Sequence, residues 1–302
     1  MKKLLISIFV FSSILYASKP QLTVNILPQK YFVEKIVKDK FDINVMIKPG
    51  SSPHNFEPKP SQMKSLNASN AYFQVGDPSE KAWIEKFKQN AKNTLFVDTT
   101  VGIEKLKMTA HSHHDEDEKA GHADEKEHEH KEEVSHKHED AELDPHIWLD
   151  PIIVKIQAKN IYEAMIKIDE ANSAFYKTNY DEFIKELDDL DAQIKEILKP
   201  YQEKAFIVFH PSWGYYAARY NLEQVSIEFE GKEPKPNELI ELINEAKKHD
   251  IKIIFVSPQF SQKSAKTIAQ NINGSVVAIN PLTDDWKNNL LKTTKEIASS
   301  YK

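Results

Sequence analysis

The sequence predicts an α/β protein of two lobes, each a parallel sheet flanked by helices, joined by one long rigid helix. Three observations carry this. Short apolar runs alternate with helical periods in the first third of the chain, the same alternation restarts after about residue 200, and an unbroken helical pattern lies between. Strands alternating with helices imply parallel sheets covered on both faces. A chain of 302 residues also exceeds the ~100–200 residues of one ordinary domain.

The elements follow in order. Leu22–Leu27 reads as a strand and Gln29–Lys38 as an amphipathic helix. Ile43–Ile47, Ala71–Val75 and Thr94–Asp98 read as buried strands, with helices at Ser61–Leu66 and Ser79–Lys92. In the second half, strands are expected at Ala205–Phe209, Gln224–Glu228, Lys252–Val256 and Ser275–Asn280. Helices are expected at Ser212–Tyr220, Pro236–His249, Ser261–Asn271 and Asp285–Ser299. Ile152–Ile168 predicts a helix ahead of the long one. Asn172–Lys199 has no Gly or Pro and places Phe175, Phe183, Leu187, Leu190, Ile194 and Ile197 at helical spacing, with Asn172 as N-cap and Pro200 as its stop. Its length is roughly 40 Å at 1.5 Å per residue, so it permits tilting of the lobes but no wide hinge opening.

Two segments stand outside this pattern. Lys2 and Lys3, the apolar run Leu4–Leu15 and the small residue Ala17 have the layout of a secretory signal peptide, with cleavage expected after Ala17. Residues 111–140 hold only Ala120, Ala123 and Val134 as apolar residues and are expected to be a disordered acidic insertion. The insertion carries eight of the twelve histidines: His111, His113, His114, His122, His128, His130, His136 and His138. Its twelve acidic residues and four lysines give it a charge of −8 against −6 for the whole chain, so the remainder is close to neutral. No basic stripe for nucleic acid is left. The chain has no cysteine, which excludes a lipidated cysteine anchor and a disulfide framework.

Four histidines remain. His54 lies in Ser52-Pro53-His54-Asn55-Phe56, His146 in Asp144-Pro145-His146-Ile147-Trp148, and His210 ends the strand Phe206–Phe209 before Pro211-Ser212-Trp213. Each sits beside a proline, with aromatic residues close by. Ligands in open α/β sheets bind at the carboxyl ends of strands, where His210 lies and which His54 follows by a short loop. Neutral imidazole suits zinc, and three imidazoles with one further donor complete a tetrahedron. The spacing leaves open both a shared metal site and separately satisfied histidines. His249, after Lys247-Lys248, is expected to cap a helix C-terminus. Trp83, with Gly76 and Glu80, is expected to pack the first lobe, and Trp286 the second. Arg219 either orients a carboxylate or faces solvent.

Pro49-Gly50-Ser51-Ser52-Pro53-His54-Asn55-Phe56-Glu57-Pro58, Asp144-Pro145-His146-Ile147-Trp148-Leu149-Asp150-Pro151, His210-Pro211-Ser212-Trp213-Gly214-Tyr215-Tyr216-Ala217 and Glu230-Gly231-Lys232-Glu233-Pro234-Lys235-Pro236 together resemble the metal-binding receptors of bacterial zinc and manganese ABC importers. The likeness is to the ZnuA-type zinc group of solute-binding protein family 9 (cluster A-I). It covers nearly the whole mature chain, and the His-rich insertion before the second ligand is typical of zinc-specific members.

The resemblance implies two four-stranded parallel sheets, a long bridging helix, and Zn2+ held in the inter-lobe cleft by His54, His146 and His210. Manganese members usually carry Glu where His210 stands, and the softer imidazole favours zinc. Many relatives have an Asp near the last strand where this chain has Asn280. Water is therefore expected as fourth ligand ahead of Asn280, Asp284 or Asp285, while the loop histidines hold zinc loosely or act as a spacer. The implied partner is an inner-membrane ABC permease in the periplasm, with no nucleic acid, no direct membrane anchor and a monomeric state. The expected divisions are a signal peptide at 1–17, an N-terminal metal-binding lobe at 20–168, a linking helix at 169–200 and a C-terminal metal-binding lobe at 201–302. Manganese or iron import is the nearest alternative, and a zinc-dependent hydrolase or lyase is one of another class. The sequence has no H-E-x-x-H motif to couple ligands to a general base, so no enzyme is expected. An adhesin or extracellular scavenger would need a surface anchor that the sequence does not offer.

Overall fold

The computed structural model describes residues 19–108, 143–228 and 234–302. The expected signal peptide, the insertion 111–140 with its eight histidines, and Glu230–Glu233 lie outside these residues.

Among the described residues, eight short strands pair into two parallel sheets. In the first, β1 (Gln21–Val24) lies between β2 (Asp42–Val45) and β3 (Ala71–Gln74), with β4 (Leu95–Asp98) beyond β3. In the second, β5 (Ala205–Val208) lies between β6 (Glu223–Ser226) and β7 (Ile253–Val256), with β8 (Ser275–Ala278) beyond β7. Both lobes thus have the same strand order, and in each the winding direction reverses beside the first strand. Such a reversal opens a crevice at the carboxyl ends of the strands.

The two-residue period of each strand splits its side chains between layers. Phe206, Val208 and Phe255 enter a large core shared by both lobes, while Ala205, Ile207, Ile254 and Val256 face α7 (Pro236–Lys248) and α8 (Lys263–Asn271). In the first lobe, Ala71, Phe73 and Val75 face the shared core. Tyr72 instead joins Met46, Leu66 and Phe87 under α2 (Pro60–Asn67) and α3 (Pro78–Asn90).

The shared core is closed by α1 (Leu27–Val37), α4 (Pro151–Ile168), α5 (Ser173–Leu198) and α9 (Trp286–Ser299). The 26 residues of α5 give it a length of about 39 Å. Tyr176, Phe183, Leu187, Leu190, Ile194 and Leu198 form its buried stripe. Polar bonds tie α5 to both lobes. Asn179 donates to the Ile36 carbonyl at the end of α1 (2.9 Å). Arg219, on the short helix α6 (Gly214–Arg219), forks onto both oxygens of Asp191 at 3.0 Å. Burial alone would raise the pKa of Asp191, but the Arg219 and Lys195 bonds override it and hold it below the ordinary carboxylate value. Arg219 therefore orients a carboxylate.

Several boundaries differ from expectation for local reasons. The strand expected at Leu22–Leu27 stops at Val24, and α1 begins at Leu27 with Pro28 in its first turn, where the missing N–H is not needed. The helix expected at Ser212–Tyr220 shortens to Gly214–Arg219 with Trp213 as N-cap. Asn172 precedes α5 without bonding its N-terminal amides, and its side chain donates to Asp169 instead.

Trp286 corrects its expectation. Its ring meets Phe32 of α1 edge-on at 5.0 Å, and its N–H donates to the Trp148 carbonyl at 2.8 Å. It therefore joins the lobes rather than packing only the second. Trp83 packs against the first lobe's smaller core and donates to the Phe56 carbonyl at 3.1 Å. Beside it, the buried Glu80 accepts from Tyr72 and from the N–H groups of Val75 and Gly76. His249 is the C-cap of α7 and bonds Glu245.

Because α5 belongs to the one core that both lobes share, Leu187→Ala should destabilise the metal-free protein by ~2–5 kcal/mol through loss of transfer energy and a residual cavity. Urea unfolding measures this, and a change below about 0.5 kcal/mol would show that this face of α5 is not packed as described.

Candidate metal centre

Three loops bring the candidate ligands together. His54 sits in a 3-10 turn, Pro53–Asn55, whose start is fixed by a bond from the His54 N–H to Ser52 Oγ (3.2 Å). The bond from Trp83 to Phe56 anchors the loop's far side. His146 immediately precedes a second 3-10 turn, Ile147–Leu149, whose three residues are buried and lead into α4. His210 lies two residues past the end of β5, and its ring stacks on Phe260 with centroids 4.7 Å apart and planes at 22°.

The ligand nitrogens of His54, His146 and His210 all lie within 4.8 Å of one another. His54 Nε2 and His210 Nε2 are 3.2 Å apart, close to the ~3.3 Å separation that a tetrahedral ion with Zn–N bonds of 2.0–2.1 Å requires. The rings line a small cleft of about 20 Å³, walled by Ser52, Asp77, Trp148, Ser212, Gln259 and Phe260 among others. That is room for one water-sized species.

Two of the three imidazoles are backed by buried carboxylates. His146 Nδ1 is 2.7 Å from Asp144 Oδ1, which also accepts the His146 backbone N–H at 2.9 Å. His210 Nδ1 is 2.9 Å from Glu228 Oε2. All four residues are at most 7% exposed. A carboxylate at Nδ1 keeps the proton on that nitrogen and leaves Nε2 with a free lone pair. Burial lowers the pKa of His210 more than its bond to Glu228 raises it, so its ring stays neutral. His54 is exposed as a residue, yet its Nε2 faces the cleft. Burial on that side, then the neighbouring His210 and His146, lower its pKa to about 4. Neutral rings are the form that binds metal.

The other sequence candidates lie elsewhere. The Asn280 side-chain oxygen accepts from Gln259 (3.1 Å) and from the Leu282 N–H (3.0 Å), and Asn280 lines a separate surface hollow beside α9 rather than the cleft. Asp284 and Asp285 are exposed at the start of α9, where they accept from the Asp285 N–H and from Asn288. Neither aspartate belongs to the ligand group formed among the described residues.

Sequence reasoning missed Asp144, Glu228 and Phe260 as parts of the site. Asp144 had a local signal, two residues before His146. Glu228 acquires its place only through the β5–β6 register, in which Val208 pairs with Ser226, so that the residues two further on come side by side. Phe260 follows β7 in a loop with no marker.

The whole architecture has counterparts among known proteins. The family model described as zinc-uptake complex component A, periplasmic (ZnuA), matches residues 23–300. The chain is 30% identical over 268 residues to the high-affinity zinc uptake system protein ZnuA of Bacillus subtilis (strain 168), covering 87% of this chain and 79% of that protein. It is also similar to a crystal structure of ZnuA, with a TM-score of 0.83 and 38% identity over 94% of this chain and all of that one. A ZnuA variant lacking residues 138–173 of its own chain, solved with zinc bound, is similar at a TM-score of 0.80 and 36% identity, covering 94% of this chain and 98% of that one.

In the metal-free protein His54 should remain neutral well below the ~6.5 of a free imidazole, with a midpoint near 4. The unfolded chain takes up this proton near pH 6.5 and the folded chain only near 4, so the contribution of this group to stability falls as pH drops through that window. Ring-proton NMR measures the midpoint. A value at or above 6.5 would mean that the ring does not sit against its two neighbours.

Proposed function

Because the chain belongs to the ZnuA family, the periplasmic A components of zinc-uptake complexes, we propose that it is a zinc-binding receptor that captures Zn2+ between its lobes and delivers it to an ABC permease. The observation that supports this most is the meeting of three imidazole nitrogens, one from each of His54, His146 and His210, in one small cleft. His54, His146 and His210 would each give one Nε2 to the ion. Water would take the fourth position, with Ser52, Ser212 and Gln259 close by on the cleft wall.

Charge favours the same reading. Neutral imidazoles leave an ion of charge +2 uncompensated, and such a charge is costly to bury. Asp144 and Glu228, one bond behind two of the ligands, place two negative charges next to it. Protein ligands that are all nitrogen suit zinc better than manganese, which prefers oxygen donors. The candidate ligands come from three separate loops of two lobes, an arrangement that suits capture and release and so favours binding without chemistry over hydrolysis. Among the described residues no helix is long and apolar enough to cross a membrane. The receptor would work in the periplasm, as a monomer, beside its membrane partner. Zinc binding would also stabilise the fold by linkage.

Chelator competition tests this reading. One tight zinc site should survive deletion of residues 111–140, and His54→Ala, His146→Ala and His210→Ala should each weaken it sharply. Tight binding that leaves with the insertion while the alanines do little would sink it. Glu228→Gln should lower zinc affinity about 10–100-fold, since removal of a carboxylate behind a histidine ligand typically costs that much.

A further inference from the structure

Asp144 is itself held on several sides, and one of the holds comes from the second lobe. Its backbone N–H donates to the Leu106 carbonyl at 2.8 Å, next to the antiparallel bridge Lys107↔Leu143. Its carbonyl accepts the phenol of Tyr215 at 2.9 Å. The same phenol oxygen accepts the Leu106 N–H at 3.0 Å. The hydroxyl therefore stands between two chain segments, donating to one and accepting from the other, in a ring that is 2% exposed.

On the side-chain side, Gly214 faces the Asp144 carboxylate. A Cβ at Gly214 would lie 2.7 Å from Asp144 Oδ2, inside van der Waals contact, so any other residue must push the carboxylate away. Gly214 and Tyr215 open α6, four and five residues after His210. One short segment thus carries one candidate ligand and sets the seat of another.

We infer that Tyr215 and Gly214 are positioning residues for zinc binding: the Tyr215 phenol fixes the main chain of Asp144, Gly214 leaves room for its carboxylate, and together they hold the His146 ring in place. This rests on the reading of the three histidines as zinc ligands. It follows that one short segment, residues 210–215, both carries His210 and bears on the seat of His146.

The test uses the full mature chain and compares Tyr215→Phe, Gly214→Ala and Tyr216→Phe. Tyr216 lies on the same helix, is fully buried and bonds Thr294 at 2.7 Å, so its variant reports the cost of losing a buried hydroxyl elsewhere. Three quantities are read: the zinc dissociation constant by chelator competition, the visible spectrum of the cobalt(II)-loaded protein, and the metal-free melting temperature. Tyr215→Phe should weaken zinc about tenfold, the lower end of the range for outer partners of metal ligands, and should alter the cobalt spectrum. Gly214→Ala should do both at least as strongly. Tyr216→Phe should lower the melting temperature while leaving affinity and spectrum as they were. If Tyr215→Phe and Gly214→Ala keep the wild-type affinity and spectrum, or differ from Tyr216→Phe only in melting temperature, the positioning role is wrong. If His146→Ala retains tight zinc binding, the zinc site itself falls and the positioning role with it.

Discussion

The bonds from His146 to Asp144 and from His210 to Glu228 are the constraint on which the rest of the site depends. Each fixes a tautomer, holds a ring against rotation and places a carboxylate one bond behind a candidate ligand. Buried carboxylates are tolerated only where hydrogen bonds or a cation offset their desolvation. Here the imidazole N–H supplies the first and a divalent cargo would supply the second. His54 has no such carboxylate partner among the described residues. Two of the candidate ligands are therefore held from behind, while the third is placed by its loop, by Pro53 and by the bond from Trp83 to Phe56.

Burial of those pairs depends on how the lobes are joined. Parallel strands present their carboxyl ends on one side, and in both sheets the winding reverses beside the first strand, so each lobe opens a crevice there. The two crevices form one cleft because the lobes share a core. Trp286 reaches α1 and the Trp148 carbonyl, Trp148 reaches the Pro281 carbonyl, and α5 is bonded to α1 through Asn179 and to α6 through Arg219. A molecule joined in this way cannot separate its lobes without exposing several buried aromatic rings, each of which carries some 150–250 Å² of surface.

The order of strands and helices was legible in the sequence because it depends on neighbours within a few residues. Period-two and period-3.6 apolar patterns, prolines at helix starts and the Gly- and Pro-free run before Pro200 all act locally. The three histidines were singled out by equally local marks, a proline beside each and aromatic rings close by. Local rules also explain the boundary errors. Pro28 fits the first turn of a helix as readily as the end of a strand, so the residues around it gave no warning that α1 begins at Leu27.

What the sequence determined by itself is the set of elements, their alternation and the kind of ligand on offer. Only the tertiary structure decided that residues 54, 146 and 210 share one cleft, that Glu228 stands behind His210, that Asn280 turns its oxygen to Gln259 and Leu282 instead, and that Trp286 joins the lobes. The physical reason is range. Helical and strand periodicity is set by bonds between residues close in the chain. The site is made by strand register, loop approach and packing between residues far apart in the chain, such as His54 and His210, 156 positions apart, and no local pattern encodes those meetings.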